Sequence, residues 1–154
     1  MLKFEKITEE NFDECVSLEV KDDQKTFVAP NMESLAQAYV AVTNEEKVMP
    51  FAIYDEDNMV GFIMLNYNWE EDMKINACWV CRLMIDKKYQ GRGYGKKAME
   101  KALDFIRTQP SGKADAVLLS YEPENNIAAG LYKSMGFKET GVIEYGEVIV
   151  KLDL

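Results

Sequence analysis

The sequence predicts a single α/β domain over residues 1–154, with one mixed central sheet of about six to seven strands flanked by about four helices. Three observations predict it. The chain has 154 residues, the length of one compact domain. Hydrophobic residues make up 47% and charged residues 29%, a composition typical of folded rather than disordered proteins. Stretches with helical periodicity alternate with stretches that have strand periodicity, without repeats or linkers.

The first third of the chain predicts a short strand and two helices. The strand ends at Ile7, and Thr8 is expected to cap a helix whose first turn is acidic. Asn31 is expected to cap the second helix, which carries an apolar stripe at helical spacing. The members of the stripe are Met32, Leu35, Ala38, Tyr39 and Val42. A polar loop over residues 21–30 joins the two helices.

Strand periodicity begins near Val48, where a turn at residues 55–58 divides the two strands of a hairpin. An acidic loop over 69–74 leads to a strand over 77–86, whose alternation places on one face Trp79, Cys81, Leu83 and Ile85. A basic glycine-rich loop over 87–95 precedes a helix over 94–108. A buried strand over 116–121, a short helix over 125–135 and one or two strands over 137–154 close the domain.

The charge and the residue types exclude several functions. The net charge of −9 argues against nucleic acid as a partner and permits a cationic ligand. The chain contains no histidine, which removes Ser-His-Asp and Cys-His catalysis. Cys78 and Cys81 have CxxC spacing, but strand side chains three residues apart face opposite sides and only Cys15 remains, so we expect no metal site.

The cysteine count and the hydropathy pattern favour a cytoplasmic protein that has no membrane partner. Three cysteines, an odd number, do not form the disulfide framework of a secreted protein. No apolar run approaches the roughly 18 residues of a spanning helix, and residues 1–7 lack the apolar stretch of a signal peptide.

The loop Gln90-Gly91-Arg92-Gly93-Tyr94-Gly95 joins a predicted strand to a predicted helix. Its glycines allow backbone N–H groups to converge at a helix N-terminus, which makes an anion site. The spacing fits neither the dinucleotide motif nor the Walker motif. Residues 87–97 hold five basic side chains and no acid, which suits a polyphosphate ligand. The alternative is a flexible turn with solvated charges.

Two ordered motifs carry a resemblance to a known family. The glycine-rich loop matches the Q/R-x-x-G-x-G/A signature of the GNAT superfamily of N-acetyltransferases. A second match runs from Asn125 through Ala128, Leu131 and Tyr132 to Gly136-Phe137. The resemblance covers nearly the whole chain and is greatest to bacterial spermine/spermidine (diamine) N-acetyltransferases. It therefore implies acetyl-CoA as co-substrate, a small-molecule amine as acceptor and a direct attack of the amine on the thioester.

The resemblance also implies where coenzyme A binds. The backbone amides of the glycine-rich loop would hold the pyrophosphate. The predicted cofactor contacts of this loop are Gln90, Gly91, Arg92, Gly93, Tyr94, Gly95 and Lys96. The pantetheine arm would add like a strand along Leu83, Met84 and Ile85, and Asn125 resembles the side chain that bonds this arm. Members of the family often form dimers, which makes a homodimer an expected assembly, although no self-complementary patch is evident.

Tyr132 matches the general acid that protonates the departing thiolate in this family. Many relatives carry a glutamate as base on the strand before the loop, at the position aligned with Cys81, and this chain lacks it. The base is then expected to be Glu122, or one of the loop acids Glu70, Glu71 and Asp72, or an ordered water chain. Candidate substrate contacts combine acids with aromatic or small walls: Phe27, Tyr39, Glu70, Trp79 and Cys81.

Three functions therefore remain open from the sequence. The first is acetylation of a polyamine such as spermine or spermidine. The second is acetylation of another amine, such as a protein N-terminus, an amino acid or an aminoglycoside. The third is an acyl-CoA-binding sensor without turnover, which the missing strand glutamate motivates.

Overall fold

A computed structural model describes residues 1–154 and shows one seven-stranded mixed sheet with helices on both faces. The strands are β1 (Leu2–Lys6), β2 (Lys47–Asp55), β3 (Asn58–Glu70), β4 (Ile75–Ile85), β5 (Ala116–Tyr121), β6 (Lys138–Glu144) and β7 (Glu147–Asp153). The helices are α1 (Phe12–Ser17), α2 (Asn31–Thr43), α3 (Tyr94–Arg107) and α4 (Asn126–Ser134), with a 3₁₀ turn at Asp22–Gln24. The predicted fold class is confirmed, and the closing segment forms two strands.

The strand order is β1-β2-β3-β4-β5-β7-β6, and only β4 and β5 run parallel. Helix α3 makes the crossover that a parallel connection requires. The other neighbours pair antiparallel. Turns join β2 to β3, β3 to β4 and β6 to β7, whereas α1 and α2 lie between β1 and β2, and α4 and β6 lie between β5 and β7. This topology places the single parallel pair in the middle of the sheet, next to the N-termini of α3 and α4.

Two apolar clusters fix the helices to the sheet. The larger cluster joins α3 to one sheet face through Ala98, Met99, Ala102 and Ile106. A smaller cluster holds Cys15 of α1 and Ala38 of α2 against Phe62 and Met84 on the opposite face. We call these the α3 face and the α2 face of the sheet. Since burial of one large apolar side chain contributes about 1.5–3 kcal/mol, these clusters supply the main stabilisation of the domain.

A β-bulge in β4 changes which side chains face each layer. Leu65 pairs with Val80 and the preceding Met64 pairs with Arg82, so Cys81 is the extra residue on β4. The predicted single face for Trp79, Cys81, Leu83 and Ile85 is therefore wrong. The first two pack on the α2 face and the last two on the α3 face, because one inserted residue reverses the strand alternation.

The helix starts differ from the sequence prediction in two places. Helix α1 begins at Phe12 after Asn11, whose Oδ1 accepts the Thr8 N–H at 2.8 Å, so Thr8 is not its cap. Asn31 is the first residue of α2 rather than its cap. Its side chain is buried and donates to the carbonyl oxygen of Cys15 at 2.8 Å, which ties α2 to α1. No helix is both long enough and apolar enough to cross a membrane.

Candidate active site

The candidate site is a cleft that opens where β4 and β5 separate. The two strands pair only from Ala77/Ala116 to Trp79/Leu118, although both continue beyond these residues. The cleft has a volume of about 970 Å³. Its walls come from the second half of β4, the end of β5, the glycine-rich loop, α4, the turn between β6 and β7, and the segment before α2. The edge of β4 that faces the cleft is unpaired with β5 over residues 80–85.

The glycine-rich loop presents an array of unpaired backbone donors to this cleft. The N–H groups from Gly91 to Lys96 have no hydrogen-bond acceptor within the protein. Gly93 precedes the first residue of α3 and has a φ of 79°, a left-handed conformation that glycine adopts without strain. Donors and helix dipole together favour an anion at this position. The loop therefore has the free donors that the predicted anion site requires.

Five basic side chains surround the loop, and their partners differ. Lys87 Nζ lies 2.9 Å from Glu19 Oε2, while Lys96 Nζ lies 3.9 Å from Glu100 Oε1 on an exposed face. The Arg92 guanidinium stacks 5.7 Å from the centre of the Tyr89 ring rather than lining the cleft. Lys88 makes no ion pair. The remaining predicted loop residues line the cleft, namely Gln90, Gly91, Gly93, Tyr94, Gly95 and Lys96.

Three further predicted cofactor contacts lie along β4. Leu83, Met84 and Ile85 line the cleft, and Asn125 lies opposite them at the start of α4. The Asn125 Oδ1 atom accepts the Ala128 N–H at 3.2 Å and so caps α4. The Nδ2 group has no partner and is free to donate. One side chain thus orients the helix and offers a donor to the cleft.

Tyr132 lies on α4, on the α3 side of the cleft. Its ring packs against Tyr121 at 6.0 Å and against Phe137 at 5.8 Å between ring centres. Burial raises the pKa of Tyr132 to about 12, since the phenolate would lose its hydration. The phenol therefore remains protonated at neutral pH. No protein group accepts or donates a hydrogen bond at its hydroxyl.

Two carboxylates line the cleft near the end of β5. Glu122 follows β5, and its carboxylate makes no hydrogen bond or ion pair within the protein. Glu147 begins β7, and its Oε2 accepts a hydrogen bond from Ser120 Oγ at 3.1 Å. Glu147 is not among the site residues that the sequence predicts. The sequence contains only a weak indication of its role, an acid at the first position of an alternating strand. The pairing of β5 with β7 is what brings Glu147 beside Ser120.

The predicted acceptor contacts are only partly brought together. Phe27 and Cys81 line the cleft. Tyr39 lies outside it on the outer side of α2, where 72% of its side chain is exposed. Glu70 and Trp79 also lie outside the cleft lining and bond to each other, with Trp79 Nε1 2.5 Å from Glu70 Oε1.

The cleft has two chemically different sides. Tyr132 and Tyr121 pack with the cluster on the α3 face. Ser120 and Glu147 follow the alternation of Leu118 and Ile149, which pack on the α2 face. The phenol of α4 and the carboxylate of β7 therefore approach the gap between β4 and β5 from opposite faces of the sheet. A reacting group in the gap could be served by a proton donor on one side and a proton acceptor on the other.

Comparison with known proteins identifies the family. Residues 7–137 match the acetyltransferase (GNAT) family. The chain belongs to this family. The resemblance read from the glycine-rich loop and from the Asn125–Phe137 motif is thereby confirmed, and so is the GNAT fold of a single domain.

Two curated GNAT relatives cover almost the whole chain. A spermine/spermidine N(1)-acetyltransferase of Bacillus subtilis is 27% identical over 151 residues, which are 96% of this chain and 95% of that protein. A probable spermine N(1)-acetyltransferase of Bacillus subtilis subsp. natto is 28% identical with the same coverage. By contrast, the N-alpha-acetyltransferase RimI of Mycobacterium tuberculosis is 36% identical over only 38% of this chain and 33% of that protein.

Solved GNAT structures share the fold over the full length. The PaiA N-acetyltransferase from Thermoplasma acidophilum, in complex with coenzyme A, superposes with a TM-score of 0.71 at 14% identity. It covers 100% of this chain and 99% of that one. Mutant forms of the spermidine/spermine N-acetyltransferase SpeG from Vibrio cholerae give a TM-score of 0.67 at 18% identity, covering 99% and 95%. These likenesses establish the fold.

Proposed function

We propose that this protein transfers the acetyl group of acetyl-CoA to a primary amine of a polyamine, such as spermidine or spermine. The observation that carries the proposal is the cleft between β4 and β5, with a free donor array at one end and a phenol and a carboxylate on opposite sides. The two Bacillus relatives, which match over 96% of the chain, favour a polyamine as acceptor.

The residues of the cleft fit acetyl-CoA. The unpaired N–H groups from Gly91 to Lys96 suit a pyrophosphate, and Lys88, at the start of the loop outside the cleft lining, adds a cation without an ion-pair partner. The unpaired edge of β4 over residues 80–85 suits an amide-containing chain, which can bond to a strand edge. The free Nδ2 of Asn125 offers a further donor. When bound, acetyl-CoA supplies a thioester carbonyl that an amine can attack.

Glu147 is the base in this proposal. An aliphatic amine with a pKa near 10 is mostly an ammonium ion at neutral pH and must lose a proton before it attacks. The Glu147 carboxylate faces the cleft from the α2 face, and its bond to Ser120 holds one oxygen in place while the other stays free. Glu122 is the second carboxylate of the cleft and the alternative base. Glu71, bonded to Trp69 and Lys74 on the surface, is less suited.

Tyr132 is the acid in this proposal. Its phenol holds its proton at neutral pH and faces the cleft from the other side of the sheet. As the carbon–sulfur bond breaks, Tyr132 donates a hydrogen bond and then its proton to the departing sulfur. The amine nitrogen loses its second proton as the amide forms, and this proton passes through water to the phenolate, which is a stronger base than the thiolate because a thiol has a pKa near 8.5. The proton held by Glu147 leaves to solvent. No covalent enzyme intermediate is required.

The acceptor side combines carboxylates with aromatic rings. Glu33, Glu122 and Glu147 line the cleft together with Phe27 and Tyr145. Carboxylates attract the ammonium groups of a polyamine, and aromatic faces bind both the cations and the methylene chain between them. The molecule as a whole is acidic, which raises the local concentration of polycations.

The test is release of free CoA thiol when the purified protein meets acetyl-CoA and a panel of amines. The panel contains spermine, spermidine, putrescine, amino acids, an aminoglycoside and a peptide. We expect fast release with spermine or spermidine. Release only with the peptide, drug or amino acids would keep the enzyme class and contradict the polyamine acceptor. Binding of acetyl-CoA with no release across the panel would favour the non-catalytic sensor.

A further inference from the structure

The segment from Leu18 to Pro30, which we call the wall segment, forms one side of the cleft, and its apolar side chains Leu18, Val20 and Val28 are only partly buried against the α2 face. None of its residues is buried, and its only regular structure is the 3₁₀ turn at Asp22–Gln24. A segment with so little buried apolar surface opens easily. Its position therefore depends on these partial apolar contacts and on the hydrogen bonds that it makes to the rest of the protein.

Asp86 joins the wall segment to the beginning of the glycine-rich loop. Its Oδ2 accepts the Glu19 N–H at 3.0 Å, and its Oδ1 accepts the Lys88 N–H at 2.9 Å. The Lys87 N–H also donates to the Glu19 carbonyl oxygen at 2.7 Å. Only 4% of Asp86 is exposed, so water competes little for these bonds. One end of the wall segment is thus fixed to the loop.

A second connection lies within the cleft itself. Gln90 Nε2 donates to Gln24 Oε1 at 2.8 Å and to the Ile85 carbonyl oxygen at 3.0 Å. Gln24 Oε1 also accepts the Lys21 N–H at 3.2 Å, which closes the 3₁₀ turn. Both glutamines line the cleft, and Gln90 is followed directly by the unpaired N–H groups that begin at Gly91.

We propose that the Gln24–Gln90 hydrogen bond couples acetyl-CoA binding to the order of the wall segment, which makes Gln24 a positioning residue for the amine. This inference rests on the proposed function. A ligand on the N–H array restrains the loop that carries Gln90, and Gln90 then restrains Gln24 and the 3₁₀ turn around it. Because such coupling is reciprocal, an ordered wall segment also favours the bound cofactor.

The test is amide hydrogen exchange of residues 18–30, with and without saturating CoA. In the wild type, we expect CoA to slow exchange in the wall segment by about tenfold, a coupling in the usual range. We expect CoA still to bind to Gln24→Ala, because the N–H array is intact. In this variant, CoA should slow amide exchange of the wall segment by less than about twofold. Gln24→Glu is the matched control, since its carboxylate oxygen still accepts from Gln90 Nε2 and should retain the protection.

The outcomes separate this inference from the proposed function. Equal protection in Gln24→Ala and wild type would overturn the coupling, as would CoA binding to the wild type without any protection of the wall segment. Calorimetry that detects no CoA binding to the wild type would overturn the proposed function and the coupling with it. With spermidine as acceptor, the coupling also predicts that Gln24→Ala raises KM for the amine about tenfold and KM for acetyl-CoA much less.

Discussion

Two residues on opposite sides of the cleft carry the proposed chemistry, and their environments differ in the way the reaction requires. Tyr132 is enclosed by aromatic rings, and its pKa is raised to about 12, so it holds a proton. Glu147 is held by one hydroxyl at the start of a strand. Groups that differ in this way can act as acid and base in one reaction.

Replacing Tyr132 by Phe removes the proton donor and keeps the ring that packs against Tyr121 and Phe137. We expect kcat with spermidine to fall by roughly 10²–10⁴, the usual contribution of general acid–base catalysis. The affinity for acetyl-CoA, measured by calorimetry, should change little. Turnover equal to that of the wild type would show that Tyr132 is not the acid.

Replacing Glu147 by Gln removes the base and preserves an oxygen that can accept from Ser120. At neutral pH, kcat/KM should fall by about 10² or more. As pH rises toward the pKa of the amine, near 10, the variant should recover, because more of the amine is deprotonated without help. The pH profile of the wild type should instead reach a plateau near neutrality.

Glu122→Gln is the comparison for this prediction, since Glu122 lines the same cleft without a partner. We expect it to retain most of the activity and the plateau of the wild type. A loss in Glu122→Gln with normal activity in Glu147→Gln would assign the base to Glu122 instead.

The cysteines should react slowly with alkylating reagents. Burial raises the pKa of Cys81 to about 11 and that of Cys78 to about 12, because the thiolate would lose its hydration. At pH 8 the thiolate fraction of Cys81 is then roughly two orders of magnitude below that of a free cysteine. Iodoacetamide labelling followed by mass spectrometry should rise about tenfold per pH unit between pH 8 and 10. Fast labelling of the folded protein at pH 7 would contradict this.

At the scale of elements, β4, which forms one wall of the cleft, approaches β3 closely at Gly61. Gly61 on β3 pairs with Ile85, and a Cβ at Gly61 would overlap the Met84 carbonyl oxygen and contact the Ile85 side chain. Glycine is therefore required by this close approach rather than by its φ. The β4 residues next to Gly61, Met84 and Ile85, line the cleft.

Gly61→Ala should displace β4 and cost about 1–3 kcal/mol in the free energy of unfolding, measured by urea denaturation, because the core is overpacked. The same displacement should weaken acetyl-CoA binding. Gly130→Ala is the matched control, since a Cβ there meets no atom within 4 Å and alanine favours the helix. Equal stability of Gly61→Ala and wild type would contradict the packing.

The sequence predicts elements well where periodicity and turns act locally. The hairpin at residues 55–58, the helix after the glycine-rich loop and the buried strand at 116–121 all appear where expected. The faces of β4 are predicted wrongly, because the bulge at Cys81 depends on pairing with β3. Local periodicity does not reveal such an insertion.

In the candidate site, too, the residues of local motifs are predicted from the sequence, and those that depend on distant contacts are not. The glycine-rich loop, Asn125 and Tyr132 belong to local motifs that the family resemblance assigns to one site, and all of them line the cleft. Glu147 depends on β7 lying between β5 and β6, a contact between distant parts of the chain. Tyr39 has the helical spacing of the apolar stripe, yet it lies on the exposed side of α2.

For the whole molecule, charge and topology act together. The basic loop at residues 87–97 lies at the anion end of the cleft, inside a protein with a net charge of −9. The cleft lining combines Lys96 of this loop with the carboxylates of Glu33, Glu122 and Glu147. In the proposed function, the loop would meet the polyphosphate of the cofactor and the carboxylates would meet the polyamine.

Identification of the product tests the central claim most directly. The protein is incubated with acetyl-CoA and spermidine, and mass spectrometry measures acetylated spermidine while a thiol reagent measures free CoA. We expect monoacetylated spermidine in an amount equal to the CoA released, and a rate of formation of both products that is at least about a hundredfold lower with Tyr132→Phe. Release of CoA without an acetylated amine, or no reaction of either kind, would contradict the central claim.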